Sequence, residues 1–147
     1  MKPKEYLNQI QSLEWSIYLN QEAIERVRSR LDIKGISYDK DKVQSSPEDM
    51  MPDMIAGLIT LEEKNERKRD ELVYMLDIIS RQIDGMDDVL DKKILYKRYV
   101  KGMSLLSIAK EMSYSYDHIR HRHGVALQKF GQKYAPLHKI AHNNTFE

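Results

Sequence analysis

The chain has 147 residues and no cysteine, with 32% charged and 41% hydrophobic side chains. The absence of cysteine excludes a disulfide framework and a thiolate metal site. This balance suits exposed helices with narrow apolar stripes better than one thick core. No apolar run approaches the roughly 20 residues of a membrane span. Met1-Lys2-Pro3-Lys4-Glu5 has no apolar stretch behind it of the kind a signal peptide needs. The expected setting is therefore cytoplasmic, without a membrane partner.

The net charge of +1 hides an asymmetry. Residues 1–34 carry six basic and five acidic side chains, residues 35–86 seven and twelve, and residues 87–147 eleven and six. All five histidines also lie in the last segment. The C-terminal third is thus the part suited to a polyanion, and the middle third is not.

In chain order, the first predicted element is a long helix. Tyr6, Ile10, Leu13, Ile17, Asn20, Ile24, Val27 and Leu31 follow a four-three alternation, which is a coiled-coil seam with one polar position. Gly35, just past Lys34, is the expected end. A polar loop follows over about residues 35–46. Ser46, Pro47, Glu48 and Asp49 then suit a helix start, with Pro52 as a competing start point. The second seam reads Met51, Met54, Leu58, Leu61, Asn65, Lys68, Leu72, Met75, Ile79, and Gly85 breaks the rod. Two long helices joined by one loop predict an antiparallel hairpin. Asn20 and Asn65 lie almost equally far from the loop's midpoint and are expected to meet as a register-fixing polar layer, the alternative being that each faces water at a frayed seam. Leu7, Trp15, Tyr18, Leu19, Ile55, Ile59, Leu76 and Ile78 flank the seams and need cover; self-association into a homo-oligomer is the simple solution, and packing on this chain's own C-terminal domain or on a partner protein is the alternative.

From Asp87 the pattern shortens. Val89, Ile94, Leu95 and Tyr99 predict an amphipathic helix ending at Lys101-Gly102. Ser104 caps a short helix from Leu105 to about Met112, Ser113-Tyr114 turn, and Ser115 caps a helix from Tyr116 to about Lys133. Short helix, tight turn and longer helix is the layout of a helix-turn-helix. Ile108, Ala109 and Met112 should face Ile119, His123, Ala126, Leu127 and Phe130. The outward face should hold Asp117, His121, Gly124 and Gln128, with His118 and Arg120 on its flanks and Arg122 at the core edge, within reach of a phosphate. Ser115, Tyr116, Asp117, His118, Arg120, His121, Arg122 and Gln128 are the candidate DNA-binding residues. His123 reads better as a core histidine.

These residues carry a resemblance. Ile94-Leu95-Tyr96-Lys97-Arg98-Tyr99-Val100-Lys101-Gly102-Met103-Ser104 resembles the opening of sigma-factor region 4. Ser107-Ile108-Ala109 is similar to its E-I-A core, with serine replacing the acid. Ser115 to Ile119 resembles its S-x-x-T-V stretch, and Ala126-Leu127-Gln128-Lys129-Phe130 its R-A-L-x-K-L close, with Val125 replacing the arginine. Nearly the whole chain, including residues 37–47 and His123-Gly124-Val125-Ala126-Leu127, resembles phage and prophage proteins of Firmicutes. Those join an N-terminal coiled coil to a sigma-like helix-turn-helix and are akin to the RinA and ArpU late-gene activators. The resemblance implies binding to double-stranded promoter DNA, activation of late transcription and contact with host RNA polymerase. No counterpart of sigma region 2 is present.

The expected fold is all-α. Residues 1–86 form a coiled-coil hairpin, 87–135 a helix-turn-helix DNA-binding domain and 136–147 a tail. A non-catalytic adaptor of polymerase or another phage component, or a DNA-packaging recognition subunit, would use the same elements. No catalytic, cofactor or metal constellation is visible. His138 and His142 are four apart, but Pro136 and the polar tail after them suggest a fraying end.

Overall fold

The computed structural model describes residues 1–36 and 51–140, with side chains described for 1–31 and 51–134. Its described residues are helical with no strand: α1 (Pro3–Ile36), α2 (Met51–Asp84), α3 (Val89–Leu95), a π-helical turn (Tyr96–Val100), α4 (Leu105–Met112) and α5 (Tyr116–Ile140). The predicted loop beyond Ile36 and the Ser46-Pro47 helix start lie outside the described residues. Pro52 falls in the first turn of α2, where its missing N–H costs nothing. Among the described residues no helix is long and apolar enough to cross a membrane.

The chain divides into two compact units, and the division is not at residue 86. One unit comprises Leu13–Leu72; the other comprises Met1–Ser12 together with Val73–Glu147. The sequence reading placed all of residues 1–86 in the hairpin because a heptad pattern reports that a face is apolar, not what covers it.

In the unit of residues 13–72, α1 and α2 run antiparallel. Arg28 pairs with Glu62, Arg69 donates to Gln21 at 2.9 Å, and Lys68 donates to Ser16. This register puts Asn20 and Asn65 at one level, and Asn65 is buried to 1% exposure. The expected hydrogen bond between them is absent, because neither amide nitrogen, nor the Asn65 carbonyl oxygen, has a partner. Burial without pairing costs about 1–3 kcal/mol. Most of the seam, including Leu13, Ile17, Leu58, Leu61 and Leu72, stays half-buried. Two helices alone cannot enclose it.

In the other unit, the first turns of α1 and the last turns of α2 join the C-terminal helices in one core. Tyr6, Leu7, Ile10, Ile79, Ile83 and Met86 are buried along with Ile94, Leu95, Tyr99, Ile108, Ile119 and Phe130. The Tyr6 hydroxyl donates to Gln82 at 2.8 Å, and its ring lies 6.2 Å from Phe130. Gly131 makes this approach possible: a Cβ there would sit 2.5 Å from Pro3 Cγ. Asp88 caps α3 by accepting from the Asp91 amide at 3.0 Å. The chain then widens into the π turn, where the Lys101 amide reaches back to Tyr96. Gln11 Nε2 satisfies the Arg98 carbonyl within this turn at 2.8 Å.

Helix α5 extends through Pro136 to Ile140, past the end expected near Lys133. The interior proline removes one backbone hydrogen bond and crowds the carbonyl four residues back, so this continuation carries a cost. Residues 141–147 of the expected tail, and the side chains of His138 and His142, lie outside the described residues.

Candidate nucleic-acid interface

The site is built from α4, a turn and the start of α5. Ser104 starts α4 by accepting from the Ser107 amide at 3.1 Å. Ser113 ends it in the left-handed conformation, φ 59°, where its own amide and that of Tyr114 close the last turn. Ser115 then starts α5, its hydroxyl accepting from the His118 amide at 3.2 Å. Ile108 and Ala109 of α4 pack with Ile119 of α5 and Ile94 of α3. Small Ala109 permits the close crossing.

This packing turns the other face of α5 to solvent. Asp117, His121, Gly124 and Gln128 are all exposed along one stripe, with Ser115, Tyr116, His118 and Arg120 exposed around its start. Arg120 makes no ion pair among the described residues, so its guanidinium is available. The His118 ring lies against Tyr114, with centroids 5.0 Å apart. Lys101 and Lys110 add exposed positive charge from the π turn's end and from α4. A Cβ on Gly124 would meet no heavy atom of the described residues within 4 Å beyond the adjoining backbone of its own helix. Packing within this unit therefore does not explain a glycine in mid-helix, which costs about 1 kcal/mol against alanine.

Arg122 is placed differently from the expectation that it reaches a phosphate. It lies across α3, with Nη2 2.9 Å from Asp88 Oδ2 and Nε 2.7 Å from Asp91 Oδ1. The second contact is an ion pair whose N–H direction falls short of hydrogen-bond geometry. Lys129 approaches the other Asp91 oxygen at 3.2 Å. Asp91 is fully buried, so the two cations of α5 neutralise a carboxylate that has no water. The Asp91 amide holds the Asp88 carboxyl below the usual carboxylate range, and burial opposes this while Arg122 adds to it. The sequence reading missed this clamp. A signal existed: Asp91 precedes Ile94 and Leu95 by three and four residues, which puts it on the buried face of α3.

His123 is half-buried and turned toward Tyr99. Tyr99 Oη and His123 Nε2 are 2.8 Å apart. Burial pushes the tyrosine up to about 12 and the histidine down to about 4, with Arg98 lowering both. Both groups are neutral at physiological pH.

Among the described residues, no group of three His, Asp or Glu side chains is placed to hold a metal ion. A groove of about 760 Å³ lies between the end of α2, α3 and α4. Ile83, Met112, Tyr96 and Tyr114 line it together with Lys93 and the Lys97–Glu111 ion pair, 2.7 Å long. No protein-family model matches the chain, and no curated protein or solved structure shows significant similarity to it.

Proposed function

We propose that this protein is a sequence-specific DNA-binding transcriptional regulator, of the phage late-gene kind, that acts at promoters. In this reading α4, the Ser113–Ser115 turn and α5 form a sigma region 4-like helix-turn-helix, and α1 and α2 form a coiled-coil hairpin before it. The start of α5 enters the major groove. Arg120, His121 and Gln128 present donors and acceptors to base edges, and Tyr116, His118 and the Ser115 end of the helix contact phosphate. Asp117 favours the positive end of α5 and accepts from cytosine where one is in reach.

The observation that carries this reading is the solvent-facing stripe of α5, where Arg120 makes no ion pair among the described residues and a Cβ on Gly124 would meet nothing beyond its own helix. A helix that gives up about 1 kcal/mol at an exposed position leaves room for a close approach from outside. Arg122 is not among the contacts in this reading; it holds α5 on α3.

A second reading is an adaptor that binds RNA polymerase or another protein. The groove beside Tyr96 and Met112 favours it, since its apolar side chains suit an apolar anchor of a partner; two of its three lysines are already paired, Lys92 with Asp84 and Lys97 with Glu111.

The test is a titration of the protein against duplexes from the neighbourhood of its own gene and against scrambled duplexes, over several salt concentrations. Preference for the cognate duplex, with about 1–3 kcal/mol lost in Arg120→Ala, is expected for a base contact. Equal and weak binding to both duplexes, or none at physiological salt, overturns the reading and leaves the adaptor.

A further inference from the structure

The back of α1 and one flank of α2 in the unit of residues 13–72 carry two stripes of the same spacing. On α1 the stripe is Trp15, Leu19, Glu22, Arg26, Arg30; on α2 it is Ile55, Ile59, Glu62, Glu66, Asp70. Each advances by four, three, four and four residues, so each occupies one face of its helix at about 100° per residue. The α1 stripe points directly away from the seam of Leu13, Ile17 and Ile24. Trp15 is 61% exposed, Leu19 49%, Ile55 44% and Ile59 49%, so four large apolar side chains face water at the heads of the stripes. Tyr18, 53% exposed, stacks on Trp15 and widens the first patch.

The tails of the stripes are opposite in charge. Arg26 and Arg30 end one, Glu66 and Asp70 end the other, all four are exposed, and none makes an ion pair among the described residues. Like stripes would repel at their tails. Unlike stripes laid parallel match at both ends.

We infer that this protein self-associates by laying the outer stripe of α1 along the outer stripe of α2 from a second copy. The two helices run parallel, so Trp15 meets Ile55, Leu19 meets Ile59, and Arg26 and Arg30 face Glu66 and Asp70. Glu22 opposite Glu62 is the one like-charged pair, and Arg28 of the same chain already neutralises Glu62. Charged flanks around an aromatic anchor set partner and direction, while the buried apolar heads supply affinity. Every copy carries one stripe of each kind, so the surface is complementary to itself without being symmetric. This inference is independent of the DNA reading.

The experiment uses the full chain and two charge-reversed variants, Arg26→Glu/Arg30→Glu and Glu66→Lys/Asp70→Lys. Mass by light scattering after gel filtration is measured for each alone and for a one-to-one mixture, with helicity checked by circular dichroism. Trp15 is the sole tryptophan, so its emission reports the contact directly. The wild-type chain should exceed the monomer mass, with emission moving to the blue as concentration rises. Each variant alone should lose association by about tenfold or more in dissociation constant. The mixture should regain it, because the acidic α1 of one variant then meets the basic α2 of the other. A wild-type monomer at all concentrations overturns the proposal and leaves the stripes to a different protein. So does association that survives both reversals, or a mixture that stays as weak as its parts.

Discussion

Replacing Arg122 by alanine separates a clamp from a DNA contact. The guanidinium bridges Asp88 and the fully buried Asp91 at 2.9 and 2.7 Å. Its loss leaves the Asp91 carboxylate in the core with only Lys129, 3.2 Å away and about half-exposed. Breaking a buried ion pair on one side costs about 3–5 kcal/mol. The remaining lysine offsets part of that, so about 2–3 kcal/mol is expected. At about 3–5 °C per kcal/mol for a chain of this size, Tm should fall by about 6–15 °C. Urea unfolding of the wild type, Arg122→Ala, Asp91→Asn and the double variant closes a cycle. The coupling should be about 1–3 kcal/mol, because the two side chains touch. At a temperature where the variant stays folded, the salt slope of DNA binding should equal that of the wild type. A stability change under about 0.5 kcal/mol, together with a salt slope reduced by about one, would refute the clamp and return Arg122 to the phosphate backbone.

Gly124→Ala should raise stability by about 1 kcal/mol, measured by urea unfolding, since nothing occupies the space of the new methyl group; the same variant should bind cognate DNA more weakly. His123 has its pKa depressed by burial from 6.5 to about 4, so the unfolded chain binds more protons in that interval. Stability is therefore full above pH 6.5 and drains as pH falls toward 4, by about 1–2 kcal/mol after discounting for partial exposure. His123→Gln should flatten that limb of a pH-dependent unfolding series. Gly131→Ala should destabilise by about 1–3 kcal/mol through contact with Pro3, and Pro3→Ala in the same chain should recover part of the loss on thermal unfolding.

What the sequence made legible was local. The apolar spacing of Ile108, Ala109, Ile119, Ala126 and Phe130 reads directly as one buried face, and all five are buried. The caps at Ser104 and Ser115 are legible for the same reason, because a cap and its amide lie within three residues. So is the exposed stripe of Asp117, His121 and Gln128, as the remainder of the helix. The Arg122–Asp91 clamp joins side chains on different helices, and an arginine beside an apolar face has no local mark to distinguish it from one that reaches solvent. The π turn was hidden too, since Tyr96 to Val100 keeps an ordinary helical composition. Asn20 and Asn65 were placed at the right level from the loop's midpoint, but level does not fix a hydrogen bond. The packing of Tyr6 beside Phe130 was beyond periodicity, which reports an apolar face and not what covers it.

That packing makes residues 13–72 an insertion in the chain of the other unit, which the backbone leaves at Ser12 and re-enters at Val73. Closing so long an excursion as a flexible coil would be entropically slow and would raise contact order. A zipped pair of antiparallel helices shortens the detour, since each turn formed brings the two crossing points of the chain nearer to meeting. Core truncations in residues 13–72 should therefore slow folding of the other unit. Paired deletions of whole heptads, which preserve the seam and shorten the detour, should leave that rate intact or increase it.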